Sequence, residues 1–452
     1  MVFKRSITKY LSEWKNGSNR KPLIIRGARQ VGKTTVIKEF AKTYKQSVFL
    51  NLEKKLDKYH FENLPEVKEV LESLFLANNI SIEQISDTLL FIDEIQESTK
   101  AIEMLRYFYE DFPMLHVIAA GSLLEFSFKE IKSFPVARVE YLYLHPMNFA
   151  EFLEACDNTQ AVDHFNIIPV SKMSHHYLIQ AFNKYAIIGG MPEAVRDYLE
   201  KQSFTNLPKI YESIWSTYKN DVEKYATNST ERKVIKHVMD TAPTELDKRV
   251  KFQQFGNSNY KSREVGEAIR KLDDAKIIRL IYPTTETSIP VKADYKKSPR
   301  LQFLDTGLVN HALGISAGMI GVADLSNSYR GAIIPHLIIQ EIISINAFTN
   351  NKPNFWVREK SQSSAEVDLV FAYKDKVIPI EIKSGASGTL KSLHQFVDQR
   401  KHPYAIRFYA GEFSVEKTKT PQGTPYLLMN LPYYLGTKIP EYIEYFVNNY
   451  SL

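Results

Sequence analysis

The stretch Gly27-Ala28-Arg29-Gln30-Val31-Gly32-Lys33-Thr34 constrains this chain more than any other. It follows an apolar run, Leu23 to Ile25, and precedes a helical pattern carrying Val36, Ile37 and Phe40. The pattern is GxxxxGK[ST] in strand–loop–helix order, and the chemistry needs that order. Gly27 and Gly32 admit unusual backbone dihedrals, so successive N–H groups can wrap a phosphate. Lys33 puts a cation on the β- and γ-phosphates, Thr34 offers a hydroxyl to Mg²⁺, and the helix N-terminus adds its dipole. Gly27, Ala28, Arg29, Gln30, Val31, Gly32, Lys33, Thr34 and Thr35 are therefore the expected contacts of ATP.

A second strand supports this reading. In DTLLFIDEIQ the run Leu89 to Ile92 lacks polar alternation, as a parallel strand buried on both faces should. Its tip carries Asp93 and Glu94, and a carboxylate there faces the ligand crevice. Asp93 is expected to hold Mg²⁺ through water, and Glu94 to orient or deprotonate the attacking water. MLHVIAAGS is a further apolar strand ending on Gly121-Ser122. Ser122 suits sensing of the γ-phosphate or alignment of water, and equally suits a helix N-cap. Ser47 to Glu53 reads as another core strand.

Composition sets the frame. The 452 residues are enough for roughly two to four domains. Hydrophobic content of 44% and charged content of 24% fit a soluble globular chain. The net charge of +6 is a mild basic bias, compatible with nucleic acid. A single cysteine, Cys156, excludes an internal disulfide framework and fits the cytoplasm. The N-terminal residues lack the apolar core of a signal peptide, and no apolar run is long enough for a membrane span.

GARQVGKTT, LLFIDEIQ, IAAGS and VARVEYLYLHPMNFAEFL together resemble the AAA-type ATPase domain of a large bacterial and archaeal family. In that family the ATPase is fused to a C-terminal DUF4143 region of largely unassigned role, and the resemblance covers nearly the whole chain. YAIIGGMPEAV, Tyr185 to Val195, resembles the family's glycine–proline motif, placed in a helical lid. Gly189-Gly190 should end one helix and Pro192 start the next. RLQFLDTGLVNHALG matches another family motif, in which Asp305 is expected to cap a helix and Gly307 to permit a tight turn. Arg138 fits two roles: an arginine reaching the γ-phosphate in cis or in trans, and a salt-bridged surface residue.

The middle of the chain is helical and aromatic from Leu178 to about Tyr225. Trp215, Tyr218 and Tyr225 fall near helical spacing, which marks core. STERKVIKHVMDTAP opens on a capping signature and puts Val234, Ile235, Val238 and Met239 on one face. A short helix, a turn at Gly256-Asn257, a helix from about Ser262 to Ala275 and two strands flanking Thr284 to Ser288 then give the order of a winged helix. The resembling family has such a region here. Lys261, Arg263, Arg270, Lys271, Lys292, Lys296 and Lys297 suit phosphate contacts, although such modules also dock proteins.

A long apolar helix near 331–348 and the strand NFWVREK lead to EVDLVFAYKDKVIPIEIKSG. This last stretch reads as two strands joined by the turn Tyr373-Lys374-Asp375-Lys376. Glu381 and Lys383 are two apart, so they share a strand face that Asp368 can reach from the neighbouring strand. Two carboxylates and the Ile382 carbonyl suit Mg²⁺, and Lys383 suits positioning of water. The spacing D-x12-E-x-K resembles the PD-(D/E)xK nuclease core, which would make Asp368, Glu381 and Lys383 catalytic. Family members commonly carry a Glu in the preceding helix, where this chain has Pro335; Glu341, Glu359 and Glu366 are the nearby acids. Residues 385–388 with Lys391 suit a phosphate-contacting loop. His175 and His176 are adjacent and diverge on a helix, so no zinc site is expected.

The expected fold is α/β: a P-loop NTPase parallel sheet with a helical lid, a winged-helix middle domain, and a C-terminal PD-(D/E)xK nuclease-like α/β domain. The expected boundaries are 1–155 for the ATPase core, 156–228 for the lid, 229–300 for the winged helix and 301–452 for the nuclease-like domain. The expected function is Mg²⁺-dependent ATP hydrolysis coupled to binding or cleaving DNA, with nuclease activity left open. The alternative is a nucleotide-operated switch that binds a protein partner and keeps an inactive nuclease fold as scaffold. AAA-type ATPases often form rings, so a homo-oligomer is a further expectation.

Overall fold

The computed structural model describes residues 2–122, 135, 137–246, 248–322, 325, 331–358, 365–383 and 389–452, the side chains of 222–225 excepted. The chain forms two compact units. One comprises Met1–Pro146, Asp274–Lys276 and Asn346–Asn350; the other comprises Met147–Asp273, Ile277–Ile345 and Asn351–Leu452.

The first unit is built on a five-stranded parallel sheet. Its strands are β1 (Leu23–Arg26), β2 (Gln46–Asn51), β3 (Thr88–Asp93), β4 (His116–Gly121) and β5 (Glu140–Tyr143), in the order β2-β3-β4-β1-β5. Every pairing is parallel. β3 and β4 are buried along their whole length. That is why they read as unbroken apolar runs: with neither face wet, polar alternation has no use. Val48, Leu50, Leu90, Ile92, Val117 and Ala119 pack there with Val70, Leu71, Leu74, Ile102, Leu105 and Phe108 from flanking helices. The helix Lys33–Ala41 starts directly from the glycine-rich loop after β1.

The second unit begins with helices. Phe149–Ala155 opens with a capping box, in which the Asn148 side chain accepts from Glu151 N and Glu151 reaches back. Lys172–Ile188 ends at Gly189, whose φ of 80° is left-handed backbone, and Pro192 starts Pro192–Lys201. The glycine–proline motif therefore breaks the helix where its residues foretell. Trp215 and Tyr218 of the helix Leu207–Tyr225 are buried, as core residues should be; the Tyr225 side chain lies outside the described residues. Asp305 caps the helix Thr306–Ala312 through Leu308 N. Gly307 does not make a turn. It lies inside that helix, where a Cβ would stand 2.0 Å from Tyr211 Oη, so the need is for space.

The ribbon after the helix Ser262–Asp274 differs from expectation. β6 (Ile278–Ile281) pairs with β8 (Arg300–Phe303), not with residues just past Ser288. Between them β7 (Pro283–Thr284) leaves the ribbon and runs parallel to β9 (Asn354–Val357) at the edge of another sheet. Pro283 has no N–H to give a ladder, and an edge tolerates that. The larger sheet continues with β10 (Glu366–Tyr373), β11 (Lys376–Ile382), β12 (Tyr404–Tyr409), β13 (Ser414–Lys419) and β14 (Pro425–Pro432), in the order β13-β14-β12-β11-β10-β9-β7.

The helix Ile333–Ser344 is apolar nearly all round and correspondingly buried. Its Glu341 is fully buried and accepts from Phe149 N at 3.0 Å and Tyr185 Oη at 2.8 Å. Among the described residues no helix is long and apolar enough to cross a membrane.

Candidate functional site

The loop between β1 and Lys33–Ala41 folds as its glycines require. Gly32 has φ 97° and ψ 17°, left-handed backbone that a side chain resists. A Cβ on Gly27 would lie 2.3 Å from the Leu144 carbonyl oxygen, so only glycine fits. Ala28 and Val31 are buried, while Gln30 and Thr35 are exposed. Arg5 clamps the loop from outside: Nη1 donates to Val31 O at 3.0 Å and Nη2 to His145 O at 2.6 Å. Lys33 is buried, and its Nζ donates to the carbonyls of Gly27 at 2.9 Å and Ala28 at 2.8 Å. Arg29 Nε donates to Ser122 Oγ at 3.3 Å, tying the loop to the end of β4. Residues 123–134, where an N-capped helix after Ser122 would lie, are outside the described residues.

The tips of β1 and β3 bring the acids to the loop. Thr34 Oγ1 donates to Asp93 Oδ2 at 2.7 Å, although the two are far apart in sequence. Asp93 Oδ1 accepts from Glu94 N at 3.1 Å. Glu94 sits in left-handed backbone, φ 51° and ψ 45°, at the start of a tight 3₁₀ turn. This fold-back lets Gln96 Nε2 donate to Glu94 Oε2 at 2.5 Å. Burial pulls the Lys33 ammonium down to about 8; the carboxylates of Glu94 and Asp93 oppose the fall, and Lys276 and Arg29 add to it. Burial also pushes the Asp93 carboxyl up, against the Thr34 hydrogen bond.

Arg138 is paired elsewhere. Its Nε donates to Glu110 Oε1 at 2.9 Å, beside Arg106 on the same carboxylate. This is the salt-bridged surface role that the sequence left open.

The second unit assembles the other acidic pair. Asp368 on β10 and Glu381 on β11 lie one step beyond the paired Leu369 and Ile380. Asp368 Oδ2 accepts from Ile382 N at 2.9 Å. Glu381 is 5% exposed; its Oε1 accepts from Lys383 Nζ at 2.5 Å, and its Oε2 has no hydrogen-bond partner among the described residues. Burial and the Asp368 charge push the Glu381 carboxyl upward. These three side chains line a cavity of about 270 Å³ with Arg300, Pro335 and His336. Pro335 thus lines the cavity, while Glu341 of the same helix is turned to Phe149 and Tyr185. Glu366 is held by Arg300 at 2.8 Å and Arg249 at 2.8 Å. Glu359 and residues 385–388 lie outside the described residues. Among the described residues no cluster of three or more His, Cys, Asp or Glu side chains is arranged to hold a metal. A cation in this cavity would rest on two carboxylates and backbone.

Of the basic residues expected to meet phosphates, Arg263 pairs with Glu267, Lys271 with Glu231 and Lys297 with Asp294. Lys261, Arg270, Lys292 and Lys296 are exposed. Sequence reasoning missed Gln96 and Arg300. Gln96 was legible only as a neighbour of the acidic pair, and Arg300 carries no local signal.

Family models match three stretches of the chain: an AAA domain over residues 19–153, a domain of unknown function (DUF8612) over 179–318, and another (DUF4143) over 330–429. No curated protein matches it. Among solved structures it is similar to the Walker-type ATPase PABY2304 of Pyrococcus abyssi, with 13% identity, coverage of 69% of this chain and 96% of that one, and a TM-score of 0.44. It is also similar to the Aeropyrum pernix ORC1 protein in complex with DNA, with 14% identity, coverage of 68% and 90%, and a TM-score of 0.27. A third is the STAND protein PH0952 of Pyrococcus horikoshii, which has a tetratricopeptide repeat sensor, with 10% identity, coverage of 76% and 48%, and a TM-score of 0.29.

Proposed function

Because the chain belongs to the P-loop ATPases that join an AAA domain to a C-terminal DUF4143 domain, we propose that it hydrolyses ATP at the loop of residues 27–35. The observation that carries this is the contact of Thr34 Oγ1 with Asp93 Oδ2 at 2.7 Å, beside Lys33. A hydroxyl and a carboxylate are hard oxygen donors of the kind Mg²⁺ takes, so the residues fit that ion. When bound, Mg²⁺ neutralises charge on the β- and γ-phosphates. The loop N–H groups and Lys33 grip those phosphates, and Lys33 exchanges its two carbonyl partners for phosphate oxygens. Glu94 orients the attacking water and accepts its proton, while Gln96 fixes the Glu94 carboxylate. Arg29 couples the loop to Ser122, which supports a phosphate-sensing role for that serine. Lys33→Ala should abolish nucleotide binding. Glu94→Gln should keep binding and lower turnover about 100-fold or more. A Lys33→Ala protein with wild-type ATPase activity would sink the assignment.

The second unit supports a nuclease-like domain on a winged-helix-like middle region, with Asp368, Glu381 and Lys383 as its centre and the exposed Lys261, Arg270, Lys292 and Lys296 as DNA contacts. The unpartnered Glu381 Oε2 is what fits a divalent cation there. The runner-up, a nucleotide-operated switch that binds a protein partner, is favoured by Pro335 in place of a helix acid and by Arg300 on Asp368. Incubating the protein with linear, circular and single-stranded DNA, with Mg²⁺ or Mn²⁺ and with or without ATP, separates them. Cleavage lost in an Asp368→Ala/Glu381→Ala protein supports the nuclease. ATP turnover indifferent to every nucleic acid, with no cleavage, supports the switch.

A further inference from the structure

The acidic centre already holds a cation of its own. Arg300 Nη1 lies 3.4 Å from Asp368 Oδ1, and Arg300 Nη2 donates to Glu366 Oε2 at 2.8 Å. The guanidinium also stacks on the Phe355 ring, 4.5 Å from its centroid. Arg249 Nε holds the other Glu366 oxygen at 2.8 Å. The planar fork is thus fixed on three sides, unlike a solvated surface arginine. With Ile382 N on Asp368 Oδ2, both oxygens of the carboxylate that a metal would need are engaged. Three acids, Asp368, Glu381 and Glu366, face three cations, Arg300, Lys383 and Arg249. A divalent ion entering beside Glu381 Oε2 would meet a guanidinium on the adjacent carboxylate, and like charges repel strongly in a half-buried site.

The arginine comes from a separate element. Asp368, Glu366 and Glu381 are carried by the seven-stranded sheet, whereas Arg300 opens β8 and pairs there with Ile281 of β6. Arg300 therefore reaches the acids from outside their own ladder, on a ribbon joined to the sheet through β7.

We propose that Arg300 is a built-in cation that keeps the Asp368–Glu381 centre closed to divalent metal. The proposal rests on reading that centre as a metal site. Metal and guanidinium then compete for Asp368.

Calorimetric titration of the nucleotide-free full chain with Mn²⁺ tests it. Wild type, Arg300→Gln and Arg300→Gln/Asp368→Asn are compared, and the heat lost with Asp368→Asn defines binding at this centre. Arg300→Gln should bind Mn²⁺ there about tenfold tighter than wild type or better. Arg300→Lys, which keeps the charge, should stay near wild type. Should Arg300→Gln fail to fold, judged by circular dichroism, Arg300→Met keeps the apolar stem against Phe355 and carries the same test. Asp368-dependent Mn²⁺ binding that is no tighter in Arg300→Gln and Arg300→Met overturns the proposal and leaves the metal site standing. No Asp368-dependent binding in any variant overturns both the proposal and the metal reading beneath it.

Discussion

Single residues carry the chemistry, and their surroundings make it testable. Gln96 Nε2 donates to Glu94 Oε2, so removing its amide should disturb the water step and spare nucleotide binding. Gln96→Ala is expected to lower ATPase kcat about tenfold with KM nearly unchanged, and steady-state kinetics check it. Lys33 gives a pH signature. Its ammonium is depressed to about 8, so the free protein loses this cation as pH rises through that value. kcat/KM for ATP should therefore fall above about pH 8. The kcat profile should hold to higher pH, because bound phosphates favour the charged form. A kcat/KM that stays level to pH 10 would refute this. The fold of residues 27–35 was legible because the backbone there is set by near neighbours in the chain. The Gln96–Glu94 contact was not, because it depends on the left-handed backbone at Glu94. Arg300 was not, because the sheet that supplies its acids forms from residues more than sixty positions away.

At the scale of elements, close packing decides which glycines matter. A Cβ on Gly190 would lie 2.1 Å from the Met147 carbonyl oxygen, with nowhere for backbone to go. Gly190→Ala should cost about 2–4 kcal/mol in urea unfolding. Gly318, with nothing within 4 Å of a built Cβ, is the control: Gly318→Ala should be neutral or slightly stabilising. The helix break at Gly189–Pro192 was readable from residue type alone. The second strand of the ribbon was misplaced because residue types mark strands and not their partners. Pro283 and Pro290 interrupt the segment after β6, and the partner strand waits until Arg300.

For the molecule as a whole, buried titratable groups tie stability to pH. Glu341 is fully buried, and its carboxyl is raised to about 8. Between its ordinary value and about 8 the native form keeps the proton that the unfolded chain releases, so stability is greatest at low pH and falls as pH rises through this window. The slope is at most about 1.4 kcal/mol per pH unit. Glu341→Gln keeps an acceptor for Tyr185 and Phe149 and removes the ionisation. Its melting temperature should exceed that of wild type at pH 8 and match it near pH 5, measured by calorimetry. Equal pH slopes in the two proteins would remove Glu341 as the cause.

The two-residue strand β7 has a consequence for dissection and inheritance. It borders β9, and nearby Tyr282 O accepts from Asn354 Nδ2 while Thr285 O accepts from Trp356 Nε1. The C-terminal sheet thus takes its selvedge from residues ahead of the expected cut at 300. A piece starting at 301 would leave β9 as a raw, sticky border and lose Arg300 as well, so it should clump where one starting near 277 stays dispersed. Any exchange of this domain between genes would have to carry that border along.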